Sequence, residues 1–199
     1  MTKSMTDQPR GSSPALPKWI KPQLCKLVDA PPQGPEWLHE IKHDGYRMHA
    51  HLDRGRARLL TRTGLDWTYK YPPIASALSA LPAKQAYLDG ELCGVQPDGK
   101  TSFSMIQAAS DTGNAGALVF FLFDLLYLDG ETISAAPLHD RKERLRDLLS
   151  NAGAPLRYSD HKIGRRPGVL CEGPAGCRWR ASSPSARMRP MHPAIVGCG

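Results

Sequence analysis

The sequence predicts an α+β domain of sheets with flanking helices, and three observations lead to this prediction. Residues 46–62 contain two segments of strand periodicity joined by a turn at Asp53-Arg54-Gly55, which is the pattern of an antiparallel hairpin. Residues 118–123 are apolar without alternation, as is typical of a central strand covered on both faces. Prolines at 72 and 137 each open a segment of helical periodicity.

The other elements follow from shorter patterns. A strand over 36–41 precedes a turn at Asp44-Gly45, and the helix after Pro72 places its apolar residues at helical spacing. We expect two strands on either side of Asp89-Gly90-Glu91, a short helix after Ser102 and a strand over 156–158. The helix after Pro137 carries a run of charged residues from 140 to 144, which predicts a solvated helix face.

Composition bounds the class of protein. The 199 residues suffice for one domain with a core, and the hydrophobic (41%) and charged (23%) fractions are ordinary for a globular protein. There is no apolar run of membrane-spanning length and no signal-peptide pattern, so we expect a cytosolic location.

Net charge gives little evidence for a nucleic-acid partner. The chain carries +7, but residues 163–199, with six arginines and one glutamate, contribute +5 of it. The body of the chain is therefore only weakly basic. Any claim of a DNA partner must rest on other evidence.

Neither the cysteines nor the histidines predict a metal site. The five cysteines are odd in number and lack paired two-residue spacing, so we expect free thiols in a reducing compartment. His49 and His51 lie two apart on the polar face of a predicted strand. Because no third ligand is evident, we interpret them as a solvated face.

The side chains that could take part in a reaction are concentrated in residues 38–47. Lys42 ends an apolar segment, Gly45 would let the backbone approach a ligand, and Arg47 offers a fork of donors suited to phosphate oxygens. An amine in this position could attack phosphorus once it has lost its proton. The four-residue pattern alone is equally compatible with a charged strand end and a turn.

Three further sequence motifs decide between these interpretations. Lys42-x-Asp44-Gly45-x-Arg47 resembles the nucleotidyl-acceptor motif of the covalent nucleotidyltransferases, which comprise ATP-dependent DNA ligases, RNA ligases and mRNA capping enzymes. Residues 59–64, 88–92 and 121–130 resemble later blocks of that superfamily, in the same order. The residues of these motifs are most similar to those of the bacterial ATP-dependent DNA ligases of end joining, and the resemblance extends over about residues 19–161.

The resemblance implies an ATP-grasp-like adenylation domain whose largely antiparallel sheets enclose a nucleotide cleft. It implies a three-step reaction: a lysine takes AMP from ATP, AMP moves to a 5′-phosphate at a DNA break, and a 3′-hydroxyl displaces it. ATP and Mg²⁺ or Mn²⁺ are the implied cofactors. The implied partners are nicked or broken double-stranded DNA and end-joining proteins. The resemblance also implies that the protein is a monomer in the bacterial cytosol or nucleoid.

The resemblance also assigns roles residue by residue. Lys42 matches the nucleophile, and Glu40 matches the acid that binds the adenine amino group. The remaining matches are Arg47 and Arg62 for phosphate and ribose, Glu91 for ribose or metal, and Phe123 for stacking on the base.

Three regions are expected: a disordered arm (1–17), a partial adenylation domain (18–162) and an Arg/Pro/Gly-rich tail (163–199) without periodicity, expected to be disordered. Family blocks that should follow residue 162, and the OB-fold domain, are absent from the tail. We expect a frame-shifted or truncated gene, feeble self-adenylation at most and no nick sealing. The alternatives left open are an RNA ligase or capping-type enzyme, a non-catalytic nucleotide- or DNA-binding remnant, and an unstable fragment.

Overall fold

The structure is a computed structural model that describes residues 14–24, 26–28, 32, 34–97, 99–112, 118–164, 178–182 and 194–196. These residues form two sheets, three α-helices and one short 3-10 helix, Thr68–Lys70. The predicted α+β class with largely antiparallel sheets is confirmed.

The larger sheet has seven strands in the order β4-β3-β5-β7-β8, with β6 beside β5 and β9 beside β7. Among the described strands of this sheet, only the β7–β9 pair is parallel. The strands are β3 (Tyr46–Asp53), β4 (Arg56–Thr61), β5 (Gln85–Val95), β6 (Thr101–Ser102), β7 (Leu118–Leu128), β8 (Glu131–Thr132) and β9 (Leu156–Tyr158).

The smaller sheet has five strands in the order β1-β12-β11-β2-β10. They are β1 (Lys26–Val28), β2 (Leu38–Lys42), β10 (His161–Ile163), β11 (Arg178–Ser182) and β12 (Ala194–Val196). The last two lie in the tail for which the sequence predicts disorder. The backbone of β11 pairs with β2, an interaction that side-chain periodicity does not reveal. The rest of the predicted tail beyond residue 164 lies outside the described residues.

Three helices pack against the larger sheet: α1 (Pro72–Ser79), α2 (Phe103–Thr112) and α3 (Leu138–Leu148). Each contributes to the main core, which includes Ile74 of α1, Ile106 of α2 and Leu145 of α3. The three predicted helices are thus confirmed. Over the residues that the structure describes, no helix is long and apolar enough to span a membrane.

The central strands are longer than the sequence indicates. β5 runs without interruption through Asp89-Gly90-Glu91, where we expected a break, because β3 and β7 pair with it on both sides. Register shifts between β5 and β7 accommodate this segment. β7 likewise continues past Asp124 to Leu128.

The prediction of a solvated face at His49 and His51 is wrong. The two histidines are 0% and 6% exposed, because the chain before β1 lies over this face of β3. Leu16 and Ile20 of that segment pack against Tyr87 and its neighbours, so residues 14–17, expected to be disordered, are part of the packed structure.

Tyr87 connects the covering segment to the sheet. Its hydroxyl accepts a hydrogen bond from the backbone N–H of Ile20 (2.9 Å) and lies 2.7 Å from His49 Nδ1. Burial raises the pKa of Tyr87 to about 12, so the hydroxyl keeps its proton and donates a hydrogen bond to the neutral ring at Nδ1. Burial lowers the pKa of His49, which favours the neutral ring that this arrangement requires.

Tyr87→Phe should therefore destabilise the fold. The change leaves His49 Nδ1 and the Ile20 N–H without their partner, and an unsatisfied buried polar group costs about 1–3 kcal/mol. The free energy of unfolding in urea measures the effect. Tyr69→Phe is the matched control, since Tyr69 is 73% exposed, and its stability should be unchanged. Equal stability of both variants would contradict this account.

Candidate functional site

A row of side chains crosses the larger sheet at the end nearest the motif of residues 42–47. Arg47 on β3 pairs in register with Glu91 on β5, which pairs with Phe121 on β7. Residues paired across strands project from the same face of a sheet. Asp89 follows in the next row of the same face, opposite His49.

This row leads into an open cavity of about 370 Å³. Three of the predicted site residues line it, namely Arg47, Arg62 and Glu91. The other lining residues are Gly45, Tyr46, Met48, Thr61, Thr63, Leu65 and Trp67. Two arginines and one glutamate therefore contribute to the lining of one opening.

The guanidinium of Arg47 is held in a fixed position. Its Nε and Nη2 donate to the two carboxylate oxygens of Asp89 at 3.1 and 2.6 Å, and Nη1 donates to the carbonyl of Gln23 at 2.6 Å. The fork that the sequence predicts for phosphate oxygens thus binds Asp89 in this structure. Asp89 was missed, although its position two residues before Glu91 in one strand places both acids on the same face.

Gly45 is required by the packing of the strands. A Cβ at this position would overlap the carbonyl oxygen of Leu92 and lie 2.7 Å from Cys93 Sγ. The sequence predicts that this glycine lets the backbone approach a ligand. The structure instead explains it by the approach of β5.

Lys42 is the last residue of β2, and Glu40 precedes it by two. Both side chains therefore project from the same face of the strand. Burial raises the pKa of the Cys93 thiol, and the positive charge of Lys42 opposes that rise. Lys42 precedes Gly45 by three residues, and Gly45 lines the cavity and packs beside Cys93. Cys93 is a free thiol, and the other four cysteines lie outside the described residues.

The prediction of a solvated charged face on α3 is wrong for two residues. Lys142 is 0% exposed and Arg141 is 4% exposed. The ammonium of Lys142 donates to Glu40 Oε1 and to the carbonyl of Phe123, the latter at 3.0 Å. These partners come from two different strands, so the helix periodicity alone could not identify them.

Arg141 makes the second buried pair of α3. Its Nε and Nη2 donate to Asp124 at 2.8 and 3.0 Å, and Nη1 donates to the carbonyl of Ala136 at 2.6 Å. The acid at the end of the predicted apolar strand therefore binds an arginine of the following helix. This bidentate geometry fixes α3 against β7.

The predicted base-stacking residue is enclosed by other site residues. Phe123 is 8% exposed, and the Arg47 guanidinium carbon lies 5.3 Å from its ring centroid. A second aromatic ring, Phe121, stacks on His43 with centroids 3.9 Å apart and an interplanar angle of 12°. His43 also lies 3.3 Å from the Ser159 hydroxyl through Nε2. No sequence pattern predicted this stacked pair.

No preformed metal cage is evident among the described residues, where no three His, Cys, Asp or Glu side chains are grouped to hold an ion. Glu91 in the cavity is a single carboxylate. Mg²⁺ commonly binds through one or two carboxylates and the phosphates of a nucleotide. The arrangement is compatible with that mode of binding.

Comparison with known families decides the classification. The profile of the family described as "ATP dependent DNA ligase domain" matches residues 20–167. The chain belongs to this family. The family resemblance deduced from the motifs is thereby confirmed, and the match favours a DNA ligase over an RNA ligase or capping enzyme.

Curated relatives include proteins of end joining. The chain is 40% identical over 150 residues to the "Multifunctional non-homologous end joining protein LigD" of Pseudomonas aeruginosa, a match covering 75% of this chain and 18% of the relative. It is 32% identical over 149 residues to the "Bifunctional non-homologous end joining protein LigD" of Bacillus subtilis, covering 65% and 23% respectively. The chain thus spans about a fifth of the length of these relatives.

Solved structures agree with the fold. The ligase domain of M. tuberculosis LigD superposes with a TM-score of 0.75 at 29% identity, covering 89% of this chain and 59% of that one. A mycobacterial DNA ligase D complexed with ATP and MES gives a TM-score of 0.74 at 27% identity, covering 89% and 60%. The arrangement of sheets described above is that of a ligase domain.

The buried pair at Lys142 should contribute strongly to stability. Lys142→Ala leaves the Glu40 carboxylate buried without its cation, which commonly costs about 3–5 kcal/mol. Arg144→Ala on the same helix removes an exposed pair with Glu131 (2.7 Å) and should cost no more than about 1 kcal/mol. Unfolding in urea measures both. Similar losses for the two variants would contradict the assignment of a buried pair.

Proposed function

We propose that this chain is the nucleotide-accepting part of an ATP-dependent DNA ligase and that Lys42 is its nucleophile. The observation that carries the proposal is the position of Lys42. It lies at the end of β2, on the same face as Glu40, and three residues before Gly45, which lines the cavity. Arg47, Arg62 and Glu91 line that cavity. Family membership supports the same assignment.

The first step is a substitution at phosphorus. The amine of Lys42, after losing a proton, attacks the α-phosphorus of ATP; an N–P bond forms and the bond to pyrophosphate breaks. Arg47 and Arg62, which line the cavity, favour the negative charge of the nucleotide. Of these, Arg62 is exposed and directly follows β4, where a phosphate can reach it.

The remaining site residues hold the nucleotide in this proposal. Glu40 accepts a hydrogen bond from the adenine amino group, and Phe123 supports the base. Arg47 and Arg62 bind phosphate and ribose. Mg²⁺ or Mn²⁺, held by Glu91 and the phosphates, would neutralise charge on the departing pyrophosphate.

The DNA steps belong to the whole protein. We infer that AMP passes from Lys42 to a 5′-phosphate at a break in double-stranded DNA and that a 3′-hydroxyl then closes the phosphodiester. The names of the bacterial relatives support end joining as the setting and end-joining proteins as partners. We also propose that the protein is a monomer in the bacterial cytosol or nucleoid.

Self-adenylation tests the proposal. Purified chain is incubated with ATP labelled at the α-phosphate and Mg²⁺ or Mn²⁺, then resolved under denaturing conditions. The native chain should retain a weak label, and Lys42→Ala should fall to background because no other amine occupies the end of β2. Lys162→Ala is the matched control, since Lys162 is an exposed lysine of the neighbouring strand β10, and it should label like the native chain.

Two results would argue against this proposal. Equal label in Lys42→Ala would place the modification on another residue. ATP bound by the native chain without any covalent label would favour the non-catalytic nucleotide-binding alternative.

A further inference from the structure

Lys142 occupies the junction between the two sheets. It belongs to α3, its acceptor Glu40 belongs to β2 of the smaller sheet, and its second acceptor is the carbonyl of Phe123 on β7 of the larger sheet. Its ammonium also lies 5.5 Å from the ring centroid of Tyr158. An ammonium has only three donors, and two of them are engaged with fixed partners.

The surroundings make Lys142 the counter-charge of Glu40 among the described side chains. His161 lies opposite Glu40 in the register of β10 and β2. Burial, with the charges of Lys142, Arg146 and His139, lowers the pKa of His161 to about 4, so its ring is neutral near pH 7. Burial also raises the pKa of Tyr158 to about 12, so its hydroxyl carries no charge there. Both neighbours are therefore uncharged, and among the side chains that the structure describes the cation comes from α3.

A buried ion pair of this kind is costly to build. An apolar side chain of similar volume would often serve stability equally well, so stability alone does not explain a fully enclosed lysine. The pair binds one carboxylate oxygen, Oε1, and thereby fixes the direction of the other, Oε2. The second contact, to the Phe123 carbonyl, fixes that direction relative to β7.

We propose that Lys142 is a positioning residue that sets the choice of purine base by holding Glu40 as an oriented, ionised acceptor. This inference rests on the proposed function, in which Glu40 faces the base. Lys142 itself does not touch the nucleotide; it acts through the carboxylate that it holds.

Adenine and guanine differ in the group that would face Glu40, and this difference would allow the carboxylate to select between them. Adenine carries an amino group, a donor, where guanine carries a carbonyl oxygen, an acceptor. An ionised carboxylate only accepts, so it binds the first and repels the second. A buried carboxylate deprived of its cation is driven towards the neutral form, which can also donate a hydrogen bond. The site would then accept the guanine carbonyl.

The test compares the dissociation constants of ATP and GTP, measured by titration calorimetry on the full chain with Mg²⁺. Lys142→Gln removes the charge but keeps hydrogen-bond donors, and the preference for ATP over GTP should fall by about tenfold or more. Lys142→Arg restores the charge and should restore the preference. Arg146→Gln is the matched control, because Arg146 lies one turn later on α3, 4.9 Å from the Tyr158 ring, and should leave the preference unchanged.

If Lys142→Gln does not fold, as shown by the lack of a cooperative unfolding transition, a second variant, Glu40→Gln, provides the test. Glu40→Gln should lose the ATP preference to the same extent. Adding Lys142→Gln to it should cause no further loss, since residues that act through one interaction are not additive. A purely structural role would lower affinity for both nucleotides equally and leave their ratio unchanged.

The outcomes separate this inference from the proposed function. A native chain that prefers ATP, with the same preference in Lys142→Gln, overturns the role of Lys142 and leaves the proposed function intact. A native chain that binds neither nucleotide overturns both. Loss of preference in Lys142→Gln with retention in Lys142→Arg supports the inference.

Discussion

The ion pair between Lys142 and Glu40 is the interaction on which the site depends, because it joins the two sheets at the point where their strands carry the motif residues. Glu40 lies two residues before Lys42 on β2, and the second acceptor of Lys142 is the backbone of Phe123 on β7. A change at this junction alters the relative position of the proposed nucleophile and base-binding residues. The buried charge therefore couples stability to the geometry of the site.

Two further ion pairs also join separate elements of the fold. Arg47 binds Asp89 on the adjacent strand, and Arg141 of α3 binds Asp124 of β7. In each pair the partner comes from a different element, so the pair fixes one element against another as well as neutralising a buried charge. Arg47 and Glu40 are thus oriented by side chains to which the resemblance assigns no role, which is how a fold holds polar side chains ready for a charged ligand.

The sequence predicted those parts of the fold that depend on local patterning. The hairpin of β3 and β4 follows from alternation and a turn, and α1 follows from its proline and apolar spacing. Lys42 and Glu40 share a face simply because they are two apart in a strand. The motif order also identified Arg47, Arg62 and Glu91, which the structure brings to one cavity.

What could not be predicted depends on contacts between distant segments. Periodicity indicated two faces for β3, but not that residues 14–24 would cover the polar one and bury His49. It indicated a charged surface on α3, but not that Glu40 would accept a hydrogen bond from Lys142 across 102 residues of sequence. Pairing with β3 and β7 similarly kept β5 continuous through a segment that contains a glycine and two acids.

The most direct test of the account is a crystal structure of this chain with an ATP analogue that carries a methylene group between the α- and β-phosphates. The account predicts the adenine amino group within hydrogen-bond distance of Glu40, with Lys142 still bound to Oε1 and the α-phosphate facing Lys42. A base placed away from Glu40, or a Lys142 that leaves Glu40 to bind phosphate, would contradict it.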